Sequence, residues 1–331
     1  MSLEESVEFL QRRTGAVPRD PDERAALQEL AKELDGFPLA LEQAAAYVSK
    51  INCSFGSYLQ AFRKQGLRVL ESSRPATGPY ERSVATTWSL NFEAVRSASS
   101  TSAELLYFAA FLAPERIPKA LLYIGGRWLG PGLATVCSKL AEEPLGFDEL
   151  LAPLTKYSLI FRDRGSDSFS VHRLVQMVVR DNLAEDHKRR WAECSVKAVA
   201  QALPKIEAAQ WDLAKALYPH AAVCVRHVEE FDFASGEVVV FLNTFGRHLR
   251  KQGQFSEARR AHELALNIAR RLHGTTHVDT ASSLKCLADV CHAMRLEDDA
   301  EGYHKMALAL REQLLGPEHH DVSHTPPCQH G

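Results

Sequence analysis

The chain has 331 residues, 45% hydrophobic and 24% charged, an ordinary globular composition long enough for two or three domains. Its 39 basic and 42 acidic residues sum to -3, so there is no broad cationic field to hold a phosphate backbone or an anionic lipid surface, and neither nucleic acid nor a membrane is an expected partner. Seven cysteines without a CxxC pair fit reduced thiols and a cytoplasmic protein, the acidic N-terminus is unlike a signal peptide, and the longest apolar run, 105–113, is far below the roughly 20 residues of a membrane span.

From residue 3 to about 64 the apolar positions recur at helical spacing, first at Val7, Phe9 and Leu10, then at Leu27, Leu30, Ala31 and Leu34, which predicts a small helical domain over 1–70. Within it "DGFPLALEQAAAYV" carries Gly36 and Pro38 between two strong helical runs. Gly36 suits the left-handed close of one helix, and Pro38 suits the first turn of the next, where its missing N–H has no partner to lose. The polar stretch 71–81, "ESSRPATGPYE", reads as a linker.

A second domain follows over 82–185. Helices are expected at 83–95, 103–112, 119–124 and 147–156, with "SASSTS" at 97–102 as a loop. The glycine-rich "IGGRWLGPG" at 124–132 lacks the Lys-Ser/Thr pair of a phosphate loop and reads as another loop. The period then changes to two. Strands are expected at 158–162 and 168–171 around a charged turn, with a helix from Arg173, an order that suggests a winged helix.

A helical connector at 186–240 leads into an internal repeat at 241–318. Ala258 and Ala300, His262 and His304, Ala265 and Ala307, Gly274 and Gly316, and His277 and His319 are each 42 positions apart. The unit is a helical hairpin that stacks on its neighbour, its first helices starting around Phe241 and Leu284. Only two units are visible, so either helix 211–230 completes the stack or the array is cut short, and the chain is expected to be a fragment. The tail at 319–331 is expected to be disordered. Its His319, His320, His324, Cys328 and His330 match no zinc spacing, so no metal site is expected.

The 42-residue unit resembles the tetratricopeptide repeats of kinesin light chains. Ahead of it "GFPLALEQAAAYV", "ERSVATTWSLNFEAV", "ELLYFAAFLAPERIP" and "YSLI…FSVHRLVQMVVR" resemble, in order, the half of an NB-ARC/STAND signalling ATPase that follows its phosphate-binding core. The resemblance implies a helical ARC-like domain, a winged helix and a repeat solenoid. It puts Pro38 where the family's proline packs on adenine, and His172 at a phosphate-sensing histidine, although Arg173 departs from the family's usual Asp. For both residues the local reading, a helix turn and a helix cap, stands beside the nucleotide reading.

No Gly-Lys dipeptide, HExxH or GxSxG occurs, so the expected protein is mainly α and non-enzymatic, with no catalytic residues. No cofactor is expected for this chain by itself; ADP or ATP enters only if an ATPase core upstream of Met1 completes the site. The expected function is protein or peptide binding through the repeat groove, with Asn243 and Lys285 at equivalent positions on its first helices and self-association open. Two alternatives are part of an ADP/ATP-dependent switch and a winged-helix DNA binder. For the second, stretch 119–143 carries few cations.

Overall fold

The computed structural model describes residues 1–16, 18, 20–65, 84–140, 145–163, 167–203 and 211–316. The linker expected at 71–81 and the tail at 319–331 lie outside them. The described chain is mainly helical, with one three-stranded antiparallel sheet, and divides into two compact units, Met1–Lys119 with Gly130–Lys188 and Ala120–Leu129 with Arg189–Gly331.

The first unit begins with four helices, α1 (Leu3–Thr14), α2 (Pro21–Glu33), α3 (Pro38–Ile51) and α4 (Phe55–Gln65). Ser2 and Glu5 form a reciprocal capping box at the start of α1, and Asp20 accepts the Glu23 N–H ahead of Pro21 at the start of α2. Leu10, Leu27, Leu30, Leu34 and Leu41 close a core in which each is fully buried. The α2–α3 turn is built as its residues require. Gly36 takes φ +65° and Asp35 φ +51°, and Pro38 opens α3. A Cβ on Gly36 would also stand 2.3 Å from the Met1 carbonyl oxygen, so glycine is needed for space as well as for φ.

Helices α5 (Val84–Ala98) and α6 (Ser100–Ala109) are separated by Ser99 alone. The serine run expected as a loop is a helix boundary, because the Ser99 hydroxyl accepts the Ser102 N–H and caps α6. Strand β1 (Ile117–Pro118) and helix α7 (Lys119–Gly125) follow, then a single 3-10 turn, Gly126–Trp128, and α8 (Pro131–Lys139). The glycine-rich stretch is therefore largely helical, with only Leu129 and Gly130 between elements. Helix α9 (Gly146–Lys156) leads to a hairpin of β2 (Ile160–Asp163) and β3 (Ser168–Val171), and α10 (Arg173–Asp181) begins where the sequence places it. Strand order is β1-β3-β2, with Ile117 opposite Phe169 and Ile160 opposite Val171. Buried Gln176 on α10 donates to the Ala109 and Leu112 carbonyls at 2.8 and 3.0 Å, tying α10 to the turn that follows α6.

The second unit consists of α11 (Glu185–Ala202), α12 (Trp211–Glu230), α13 (Gly236–Lys251), α14 (Phe255–His273), α15 (Val278–Ala293) and α16 (Glu297–Leu315), joined by residues 120–129. The starts of α13 and α15, the starts of α14 and α16, and the matching ends are each separated by 42 residues, so the repeat extends from residue identity to helix boundaries. Ala258, Ala265, Ala300 and Ala307 are fully buried where hairpin partners approach. Helix α12 packs on α13, extending the stack upstream with a non-repeating helix. Among the described residues no helix is long and apolar enough to cross a membrane.

Candidate functional site

In the second unit a cleft of about 530 Å³ lies along the first helix of the repeats. Its construction starts at Gly125, the last residue of α7. A Cβ there would stand 2.8 Å from the Cα and carbonyl oxygen of Ala198, so only glycine lets this segment lie directly on α11. The turn that follows places Trp128 beneath two cations, with Lys197 Nζ 5.2 Å and Arg127 Cζ 4.9 Å from its ring centroid. Arg127 also donates to the Gln201 side chain, and Lys197 pairs with Glu193 at 2.7 Å. That hydrogen bond raises the Lys197 pKa above the usual lysine value, so its charge is secure at neutral pH.

The same cleft is lined by Glu237 on α13 and Asp279 at the start of α15, and by the apolar residues Val240, Phe241 and Leu203, the last two largely buried. Val240 is 51% exposed, an apolar side chain presented to the cleft. A lining that combines apolar surface with charges of both signs suits an extended segment that carries both charge types.

Asn243 and Lys285, the pair expected to present polar groups to a peptide, do not line this cleft. Asn243 is buried between α13, α14 and α15, where its Nδ2 donates to Ser283 Oγ at 2.8 Å and its Oδ1 lies 3.0 Å from His262 Nδ1. With Oδ1 as an obligate acceptor, His262 carries its proton on Nδ1. Burial, helped by Arg247 and Arg250, lowers the His262 pKa to about 3, which keeps the ring neutral. Lys285 is half-buried, and its charge acts on Cys286 and His304. Val240, Phe241 and Thr244 take the cleft-facing role on α13. Trp128 and Lys197 had no signal in the sequence, because they lie outside the repeat period.

Pro38 and His172, far apart in the chain, are brought to one place in the first unit. His172 caps α10, its Nδ1 accepting the Leu174 N–H at 3.2 Å, which leaves the proton of the neutral ring on Nε2. Nε2 lies 3.5 Å from Asp35 Oδ2, and the ring meets Phe37 edge-on at 5.5 Å between centroids. Burial lowers the His172 pKa, with the Asp35 charge opposing it. Pro38 is exposed beside this contact. The helix cap and the approach to the Asp35–Pro38 turn therefore coexist in one histidine.

The model for tetratricopeptide repeats matches residues 237–313, and a model described as a domain of unknown function (DUF7779) matches 93–188. A nucleotide-binding leucine-rich repeat (NLR)-like protein of Hyaloscypha variabilis is 25% identical over 273 residues, covering 78% of this chain and 25% of the relative. The chain thus spans about a quarter of that relative's length. It carries tetratricopeptide repeats and is similar to part of an NLR-like protein.

Proposed function

We propose that this chain is a non-enzymatic interaction module of a STAND-type signalling protein, acting in the cytoplasm and binding a partner protein through the first repeat. The cleft carries the reading, since it is lined by exposed Val240 together with the cations Arg127 and Lys197 and the carboxylates Glu237 and Asp279. Tetratricopeptide repeats generally mediate protein–protein contacts, which fits a cleft shaped for an extended segment. The helix–strand–helices–strand–strand order of 100–171, with β3 between β1 and β2, is compatible with a winged helix and supports the STAND-like reading of the first unit. The cations of the cleft share it with carboxylates, so we take the partner to be a protein and not nucleic acid. Asn243 holds the helices that form the cleft, and Lys285 remains available to a longer ligand.

The test is binding of peptides selected by display against the purified chain. Val240→Asp, in the cleft, should weaken them at least tenfold, while Leu272→Asp, on the exposed face of α14, should not. Equal affinity for the two variants and the parent removes the cleft from the function.

A second reading, half of an ADP/ATP-dependent switch, is favoured by the contact between His172 and the Asp35–Phe37 segment. A phosphate at His172 would have to displace the Asp35 carboxylate, so binding should be weak without an upstream core. Calorimetry with Mg2+ and ADP should give heat that His172→Ala and Pro38→Ala both reduce. Absence of heat from the folded chain rejects a nucleotide site within it.

A further inference from the structure

The linker between the two repeats gathers three donor groups, two imidazoles and a carboxylate, within a few residues of one another. His273 is the last residue of α14, Gly274 turns the chain at φ +81°, His277 is the N-cap of α15, and Asp279 lies in its first turn. Thr280 Oγ1 donates to the Gly274 carbonyl at 3.0 Å and fixes the turn. The two imidazoles stack with centroids 4.0 Å apart and planes 22° from parallel. His273 Nε2 lies 3.5 Å from Asp279 Oδ2, and His277 Nδ1 lies 3.6 Å from the same oxygen.

We propose that His273, His277 and Asp279 form a site for a divalent transition metal ion of the zinc class. Metal–ligand bonds of about 2.0–2.1 Å in a tetrahedron set ligand atoms about 3.3–3.4 Å apart, so the two observed separations are within a few tenths of an ångström of two tetrahedral edges. All three donors lie within 4.8 Å of one another. Two nitrogens and one oxygen suit Zn2+, Co2+ or Ni2+, whereas Ca2+ and Mg2+ require oxygen ligands.

His277 Nδ1 also accepts the Asp279 N–H, at a long 3.2 Å, so ligation through that nitrogen exchanges one weak partner for the metal. Three protein ligands leave the fourth position to water or to a partner's side chain, and Asp279 lies on the wall of the cleft. The site belongs to this linker and not to the repeat in general, because Leu315 stands 42 residues after His273.

The test is a Zn2+ titration of the full reduced chain against a chromophoric chelator, repeated on His273→Gln and Asp279→Asn. The first substitution sits at an exposed helix end, and the second keeps the backbone and the side-chain volume, so far-UV circular dichroism should match the parent. The expected result is one Zn2+ equivalent in the parent whose affinity falls at least tenfold in each variant. The same equivalent loaded with Co2+ should give a nitrogen/oxygen spectrum without thiolate bands. Absence of Zn2+ binding by the parent overturns the site, as does an equivalent that persists unchanged in either variant, the behaviour expected of the His-rich tail.

Discussion

Replacing Gly246 by alanine probes the packing that sets the spacing of the first repeat. An ideal Cβ at this position stands 2.5 Å from His262 Cε1 and 2.6 Å from Nε2, about 1 Å inside an ordinary contact. The ring is fully buried and held by Asn243 at 3.0 Å, so it retreats only by giving up that hydrogen bond. Overpacking costs about 1–3 kcal/mol, the lost hydrogen bond about 1, and the better helix propensity of alanine returns about 1, which leaves a net loss of about 2 kcal/mol. The second repeat shows the alternative arrangement. Ala288 occupies the equivalent place, Lys285 replaces the asparagine, and the His304 side chain is 18% exposed. Gly302→Ala on α16 is the control, because nothing outside the local helix backbone lies within 4 Å of its added Cβ, and it should gain about 1 kcal/mol. Urea midpoints of the transition that unfolds the repeats provide the measurement. If Gly246→Ala raises the midpoint as much as Gly302→Ala does, the close approach of His262 is not what requires glycine.

Two further outcomes follow from the same repeats. Arg295 adopts φ +60° at the position where the first repeat has Gly253 at φ +78°, so Arg295→Gly should raise stability by roughly 0.5–1 kcal/mol once the extra freedom of glycine in the unfolded chain is deducted; a lowered midpoint refutes the strain. The His262 pKa is about 3 in the folded state and near 6.5 unfolded, so between these values the unfolded chain binds more protons. The stabilisation is complete above pH 6.5 and is lost as pH falls towards 3, about 2 kcal/mol between pH 7 and pH 5, and the drop should shrink in His262→Asn. Equal midpoints for the parent at pH 7 and 5 would contradict a buried neutral ring.

The 42-residue period was legible because each helical hairpin packs on its neighbour, so one spacing governs both residue identity and helix ends. The hairpin and the start of α10 were legible because strand and helix periods differ along the chain. Strand β1 was not, since two residues carry no period and become a strand only by pairing with β3. The serine run was misread because serine serves loops and helix caps alike, and its partner decides which. Asn243 and Lys285 share a repeat position, yet one is locked between three helices and the other is half-buried, since periodicity marks equivalent places and not their surroundings.

What the sequence by itself determined is local. It set the helices and their caps, the left-handed turn before Pro38, the repeat and the low net charge, each following from neighbours within a few residues or one repeat. Tertiary structure alone decided which distant residues meet. Trp128 joins Lys197 because Gly125 lets two backbones touch, and His172 comes against Asp35 because α10 begins where the first unit folds back on its own α2–α3 turn. Such meetings depend on shape and burial summed over whole helices, and no spacing along the chain encodes them.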